Sequence, residues 1–253
     1  MLNSRHGARW DGEVLVRAWP ARHHPRTRID YLYADWAQLV YAAEGTISVE
    51  TPSGTWVVPP HRAVWVPAGV EHSVESHGWA TLRSLYYRKE IAPTNLGGTI
   101  GLTPLARELI LHIAAIAPLW RGVSSQRRLA FVLLDHLRQL PVLPVYLPQP
   151  RTEPSITAAR TLIEGTLSPE AVAKELGLSL RTMERVFKSE TGLSVGTWRQ
   201  QARLLEALRL LAQGIPVGDI SFRVGYGSDS AFIFAFRQAF GVSPGRFYNQ
   251  TAE

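Results

Sequence analysis

Cysteine is absent from this chain of 253 residues, which excludes disulfides and thiolate metal sites and fits a reducing compartment. No run of 18 or more apolar residues occurs, so no stretch reads as a membrane span. The opening residues, MLNSRHGARWDGE, lack the apolar core of a secretory signal, and the expectation is a cytoplasmic protein. No low-complexity tract interrupts the chain. Charge of one sign is in modest excess: 27 Lys and Arg against 21 Asp and Glu, a formal +6. That hints at an anionic partner. The excess is spread, however, with 11 basic and 9 acidic residues in 155–253 against 16 and 12 in 1–154. Charge alone therefore locates no nucleic-acid face; only particular arginines can.

Three textures follow one another. Residues 1–100 read as β: short runs rich in Val, Tyr, Trp and Thr alternate with turn signals such as Glu44-Gly45, Pro52-Ser53-Gly54 and Pro67-Ala68-Gly69, the spacing of a sandwich or barrel. Residues 101–140 carry apolar positions at helical spacing. Leu129, Val132, Leu133 and Leu137 form one stripe, with Ser124 or Ser125 as cap. Two such helices either pack on each other or meet a second copy. Residues 141–154 hold five prolines, which remove backbone donors and fix φ, so this reads as a semi-rigid connector and the domain boundary. Residues 155–253 read as all helical.

That last stretch contains one grammar twice. In SPEAVAKELGLSLRTMERVFKSETG, residues 168–192, Ser168 caps, Pro169 opens a short helix through Val172 and Leu176, Gly177 turns, and Ser179 caps a second helix with Met183, Val186 and Phe187 inward. This is a helix-turn-helix. Arg181, Arg185 and Lys188 recur at i, i+4, i+7 as an outward basic stripe suited to a major groove and its phosphates. Residues 216–241 repeat the pattern: Ile220 and Val224, Gly225 at the turn, Ser228 as cap. Between the copies a longer helix places Trp198, Ala202, Leu205 and Leu208 inward and ends at Gly214. In AFIFAF the phenylalanines also alternate as in a strand. The repeat decides for helix, with Phe232, Phe236 and Phe240 as its core stripe.

Residues 155–249 resemble the AraC/XylS family of transcription regulators, on Gly225-Tyr226, Ala231-Phe232, Phe236 and Phe240-Gly241-Val242-Ser243-Pro244, with Ala173-Lys174-Glu175-Leu176-Gly177 and Arg185 to Gly192 in the first half. The resemblance implies two helix-turn-helix motifs joined by a linker helix, each second helix in a major groove, one turn apart (roughly 34 Å). Arg181, Glu184 and Arg185 would then face bases, the arginines reading guanine and Glu184 accepting from cytosine N4. In the second motif Asp229, Ser230 and Phe234 would face bases, with Arg237 nearer phosphate. Phe234 stands where many members carry a polar residue. It either meets a thymine methyl or packs against its own domain or a partner, and the first motif is expected to dominate discrimination.

Pro67-x-Gly69-x-x-His72 resembles the second motif of a cupin, so the expected architecture is an N-terminal all-β cupin-like sensor barrel, a helical hairpin for dimerisation, and an all-α DNA-binding domain. No His-x-His precedes it, so no metal and no cofactor are expected, and His72 reads as a histidine hydrogen-bonded in a barrel mouth. Tyr33, Gln38, Tyr41, Trp56, Trp65, His72 and Tyr86 are candidates to line an effector cavity, although alternation turns about half of any strand inward regardless. The reading is a non-enzymatic regulator with promoter DNA, a small-molecule effector, a second copy and, for an activator, RNA polymerase as partners. A constitutive dimer with a non-sensing barrel and a metal-dependent cupin enzyme are the alternatives.

Overall fold

The computed structural model describes residues 13–93, 98–140, 142–143, 146–164 and 167–247. The signal-peptide reading on residues 1–12, part of the Pro-rich connector (141, 144 and 145) and the tail 248–253 lie outside these. The chain divides into two compact units, residues 1–51 with 56–144 and residues 52–55 with 145–253.

The first unit is built of strands β1 (Val14–His23), β2 (Arg28–Tyr31), β3 (Trp36–Glu44), β4 (Ile47–Thr51), β5 (Gly54–Val58), β6 (Arg62–Val66), β7 (His72–Ser76), β8 (Ala80–Arg88) and β9 (Gly98–Gly101), then helix α1 (Pro104–Ile116), β10 (Leu119–Trp120), helix α2 (Ser124–Arg138) and β11 (Val142–Leu143). One sheet runs β10-β1-β8-β3-β6-β9-β11, and the strands facing it in this unit run β5-β4-β7-β2. Strand alternation sorts β3 cleanly. Val40 and Ala42 point between the sheets, where they meet Ile47, Val49, Val58, Val64 and Val74. Ala37, Leu39 and Tyr41 point the other way, onto Ile110 and Ile113 of α1 and Leu133, Leu134 and Leu137 of α2.

The helix pair thus closes on its own sheet, which settles the choice between an internal partner and a second copy for these stripes. Two details correct the sequence reading. The buried stripe of α2 is Ala130, Leu133, Leu134 and Leu137, whereas Val132 is 52% exposed. Residues 130, 133, 134 and 137 lie within one turn-spaced row, and 132 is rotated off it. The N-cap is Val123, with no side-chain capping bond, and Ser124 is the first helical residue. Helix α1 is the capped one: Thr103 accepts from the Ala106 N–H at 3.2 Å.

The described part of the connector is held by hydrogen bonds along its length. Val142 and Leu143 pair with Ile100 and Thr99 of β9. Residues Tyr146–Pro148 form β12, followed by α3 (Glu153–Glu164), α4 (Pro169–Glu175), α5 (Leu180–Thr191), α6 (Val195–Ala212), α7 (Val217–Arg223), α8 (Asp229–Phe240) and α9 (Pro244–Phe247). In this second unit the Trp198 indole N–H donates to the Pro148 carbonyl at 2.8 Å, and the Gln201 amide donates to the Tyr146 carbonyl at 2.7 Å. Proline leaves carbonyls without a neighbouring donor in the segment, and side chains of α6 supply the missing donors.

Candidate nucleic-acid interface and barrel interior

Both helix-turn-helix units are assembled by the residues that punctuate them. Ser168, Ser179 and Ser228 each accept from the backbone N–H three residues on, at 3.3, 3.1 and 3.3 Å, and so open α4, α5 and α8. Gly177 and Gly225 take positive φ, +67° and +80°, between the paired helices. At Gly225 space matters as well as φ: a Cβ there would stand 2.8 Å from the Arg203 guanidinium, which lies 5.8 Å from the Tyr226 ring centre. Met183 and Phe187 bury the inner face of α5, with Phe187 edge-on to Trp198 at 5.3 Å, while Val186 is only half-buried. Phe232 and Phe236 bury the inner face of α8. Successive rings stand 5.7 Å (Phe232 to Phe236) and 4.5 Å (Phe236 to Phe240) apart, and Phe247 of α9 closes on both Phe236 and Phe240.

The outward faces differ in chemistry. On α5, Arg181, Arg185 and Lys188 are exposed and Glu184 is half-buried. Among the described residues none of these four side chains forms a hydrogen bond or ion pair. On α8, Asp229, Ser230 and Arg237 are exposed, Phe234 is 67% exposed and Ile233 37%. Phe234 therefore does not pack into its own domain, which removes one of the readings open from the sequence. Asp229 is already engaged: its carboxylate accepts a short hydrogen bond from the buried Ser221 hydroxyl of α7. Glu190, at the far end of α5, accepts from the Arg151 and Thr152 backbone N–H groups at 2.7 and 3.1 Å and from the Thr152 hydroxyl at 2.7 Å. Burial opposes that charge, but these donors hold its carboxyl below the usual range. Sequence reading missed both roles. A Glu or Asp at a helix end next to a Ser- or Thr-bearing segment is the only signal that could have marked them.

In the first unit the predicted lining residues separate into two sets. Tyr33, Gln38, Trp56, His72 and Tyr86 lie on the side where the sheets face each other. Tyr41 and Trp65 do not: both stand in the opposite layer, against the helices, with Tyr41 beside Arg107 and Trp65 against Tyr87 at 5.7 Å. Period two decides this, since Tyr41 and Trp65 have the opposite parity to Gln38 and Val66 on their paired strands.

Pairing across four strands sets a row: Arg17 of β1 opposite Tyr86 of β8, Tyr86 opposite Gln38 of β3, and Gln38 opposite Val66 of β6. His72 reaches this row from the facing sheet, its Nε2 2.7 Å from the Gln38 Oε1 and its Nδ1 2.9 Å from the Val70 carbonyl oxygen. Burial pushes the His72 pKa down, against the pull of the Val70 bond, so the ring is neutral near pH 7. Tyr31 stacks on His72 at 5.4 Å and lies 5.9 Å from Tyr33, which is edge-on to Tyr86 at 5.3 Å. Burial raises the Tyr86 hydroxyl pKa well above the ordinary value. Arg17, Tyr31 and Trp36 complete the cluster and were not singled out by the sequence. Among the described residues no group of three or more His, Cys, Asp or Glu is placed to hold a metal ion.

A two-layer β unit with a polar-aromatic interior, and a helical unit with two capped helix-turn-helix motifs, together define a DNA-binding regulator with a sensor-type barrel. Family models agree on both halves: residues 19–134 match the AraC-like ligand binding domain, and residues 172–250 match a helix-turn-helix domain. The chain is 36% identical over 215 residues to the HTH-type transcriptional regulator NimR of Escherichia coli (strain K12), covering 83% of this chain and 78% of that protein. It is 29% identical over 187 residues to the transcriptional activator NphR of a Rhodococcus species, covering 71% of this chain and 52% of that protein. Among solved structures it is similar to the DNA-binding domain of AdpA in complex with a target DNA, at 29% identity and a TM-score of 0.37, over 39% of this chain and 93% of that one. The chain belongs to the AraC family of transcription regulators, and it is a regulator, not an enzyme.

Proposed function

We propose that this regulator divides promoter reading unequally between its two motifs. The observation that carries the reading is the contrast between α5, whose exposed face offers Arg181, Arg185 and Lys188, and α8, whose exposed face offers Phe234 and Ile233. Arg181 and Arg185 read guanine edges, Glu184 accepts from cytosine N4, and Lys188 binds phosphate. In the second motif Phe234 contacts a thymine methyl, Ser230 a base edge and Arg237 a phosphate, while Asp229, turned toward Ser221, sits at the rim of the contact. The barrel takes a small-molecule effector between its sheets, and the protein works in the cytoplasm, as a dimer, with RNA polymerase as its partner if the outcome is activation. A dimer joined through 101–140 has to use the faces of α1 and α2 that carry the exposed Leu105 and Val132, because the buried stripes are taken by the sheet.

Footprinting of the full chain on DNA upstream of its own and neighbouring genes tests this, beside Arg185→Ala and Phe234→Ala. Expected is protection of two adjacent major grooves per subunit, lost in Arg185→Ala and only loosened in Phe234→Ala. Equal loss in the two variants rules out the unequal division, and weak, salt-sensitive binding without a discrete site rules out sequence-specific reading by the uncomplexed chain.

A further inference from the structure

Arg17 is an arginine on a strand that faces the interior of a barrel, and the aromatic cluster around it leaves its donors unused. The guanidinium carbon lies 4.4 Å from the Trp36 ring centre, 5.0 Å from Tyr33 and 5.2 Å from Tyr86. Ring faces attract a cation through their quadrupole. They cover the flat sides of the guanidinium, though, and do nothing for its N–H edge, which carries five donors. Among the described residues the Arg17 side chain makes no hydrogen bond and no ion pair.

Its surroundings are cationic rather than compensating. The Arg88 guanidinium lies 4.7 Å from the same Trp36 ring. The residues sharing the inner face nearby are Trp36 and Gln38 on β3, Ser84 and Tyr86 on β8, Tyr31 on β2 and His72 on β7, with no carboxylate. Burial lowers the Arg17 pKa, and Tyr33 and Tyr86 act in the other direction. A partly desolvated cation with open edge donors is stabilised by an anion that can meet it in plane, and a carboxylate does so with two parallel bonds.

We propose that the barrel binds a small organic carboxylic acid, its carboxylate paired with the edge of Arg17 and its apolar or aromatic body lying against Tyr33, Trp36 and Tyr86. This rests on the reading of the barrel as the effector-binding unit, and it commits that unit to one class of ligand.

The test uses the full-length protein and matched probes: benzoate with benzamide, cyclohexanecarboxylate with its amide, and inorganic phosphate. Binding is read by calorimetry and by the shift in melting temperature. Expected is saturable binding of at least one acid, at least tenfold weaker binding of its neutral amide, and weaker binding still of phosphate, which has no body to meet the rings. Arg17→Gln reduces acid binding at least tenfold, and Arg17→Lys, which keeps the charge without the planar fork, reduces it less. Equal binding of acid and amide, undiminished binding in Arg17→Gln, or no binding by any acid overturns the proposal. The wild-type pair of acid and amide decides the matter even if Arg17→Gln fails to fold. Wild-type footprints separate the two readings: a discrete operator with no acid binding overturns the acid and leaves the regulator standing, whereas acid binding without an operator does the reverse.

Discussion

Trp198 touches two things at once: its N–H donates to the Pro148 carbonyl at 2.8 Å, and its ring meets Phe187, a buried residue of α5, edge-on at 5.3 Å. The connector and α5 are therefore positioned by the same side chain. Trp198→Phe keeps much of the ring packing and removes the donor, leaving a buried carbonyl unpaired. The expected loss is about 1–3 kcal/mol in urea unfolding of the full chain, together with weaker protection at the groove read by α5.

Ser221 and Asp229 join α7 to α8 through one charge-assisted bond. Ser221→Ala is expected to destabilise the protein by about 1.5–3 kcal/mol, because a hydrogen bond to a charged group is lost. With Asp229 at the rim of the proposed DNA contact, it also frees a carboxylate that would repel phosphate, so operator affinity should fall more than stability explains. A titration showing unchanged affinity would remove this role for Asp229.

Gly225 and Gly241 share a φ of +80° and differ in their surroundings. At Gly241 a Cβ would meet nothing within 4 Å, whereas at Gly225 it would crowd Arg203. Gly241→Ala should cost about 1–2 kcal/mol from conformation alone. Gly225→Ala should cost more and should displace Arg203 from Tyr226. Comparing the two melting curves, and the Tyr226 environment by NMR, checks the difference.

Acid should weaken the barrel. His72 is held below its ordinary value of 6.5, chiefly by burial. The unfolded chain then binds the proton more tightly than the folded one, so stability present above pH 6.5 is lost as pH falls through the folded value. Groups packed on the ring are Tyr31, Gln38 and the Val70 carbonyl. His72→Gln should flatten the dependence of melting temperature on pH between 7.5 and 5. His23 and His61 are lowered by burial too, so a residual slope remains.

The helical unit was legible because its signals are local. Ser168, Ser179 and Ser228 cap where the sequence placed them, and the phenylalanine stripe at i, i+4, i+8 is buried at Phe232 and Phe236. The barrel interior was legible only in part, because parity within a strand says which residues share a face but not which face. Tyr41 and Trp65 went to the helix side for that reason. Arg17 was invisible: an arginine between Val16 and Ala18 reads as the solvent-facing member of an alternating strand, and only the pairing with Tyr86 turns it inward. Phe234 stood out in the sequence, and its exposure removes packing into its own domain while leaving a thymine methyl and a partner as the surfaces it could meet.

Helix α9 is four residues long, too short to persist by itself, and it is held through Phe247 against Phe236 and Phe240. This ring ladder braces α8 on the face opposite the exposed Phe234 and Ile233. If α8 reads DNA through that exposed face, as proposed, its tilt is set during folding by hydrocarbon contacts on the other side. Its orientational entropy is lost before the encounter, so a groove meets a surface already aimed, and a weakly contacting apolar face can contribute without also having to organise itself.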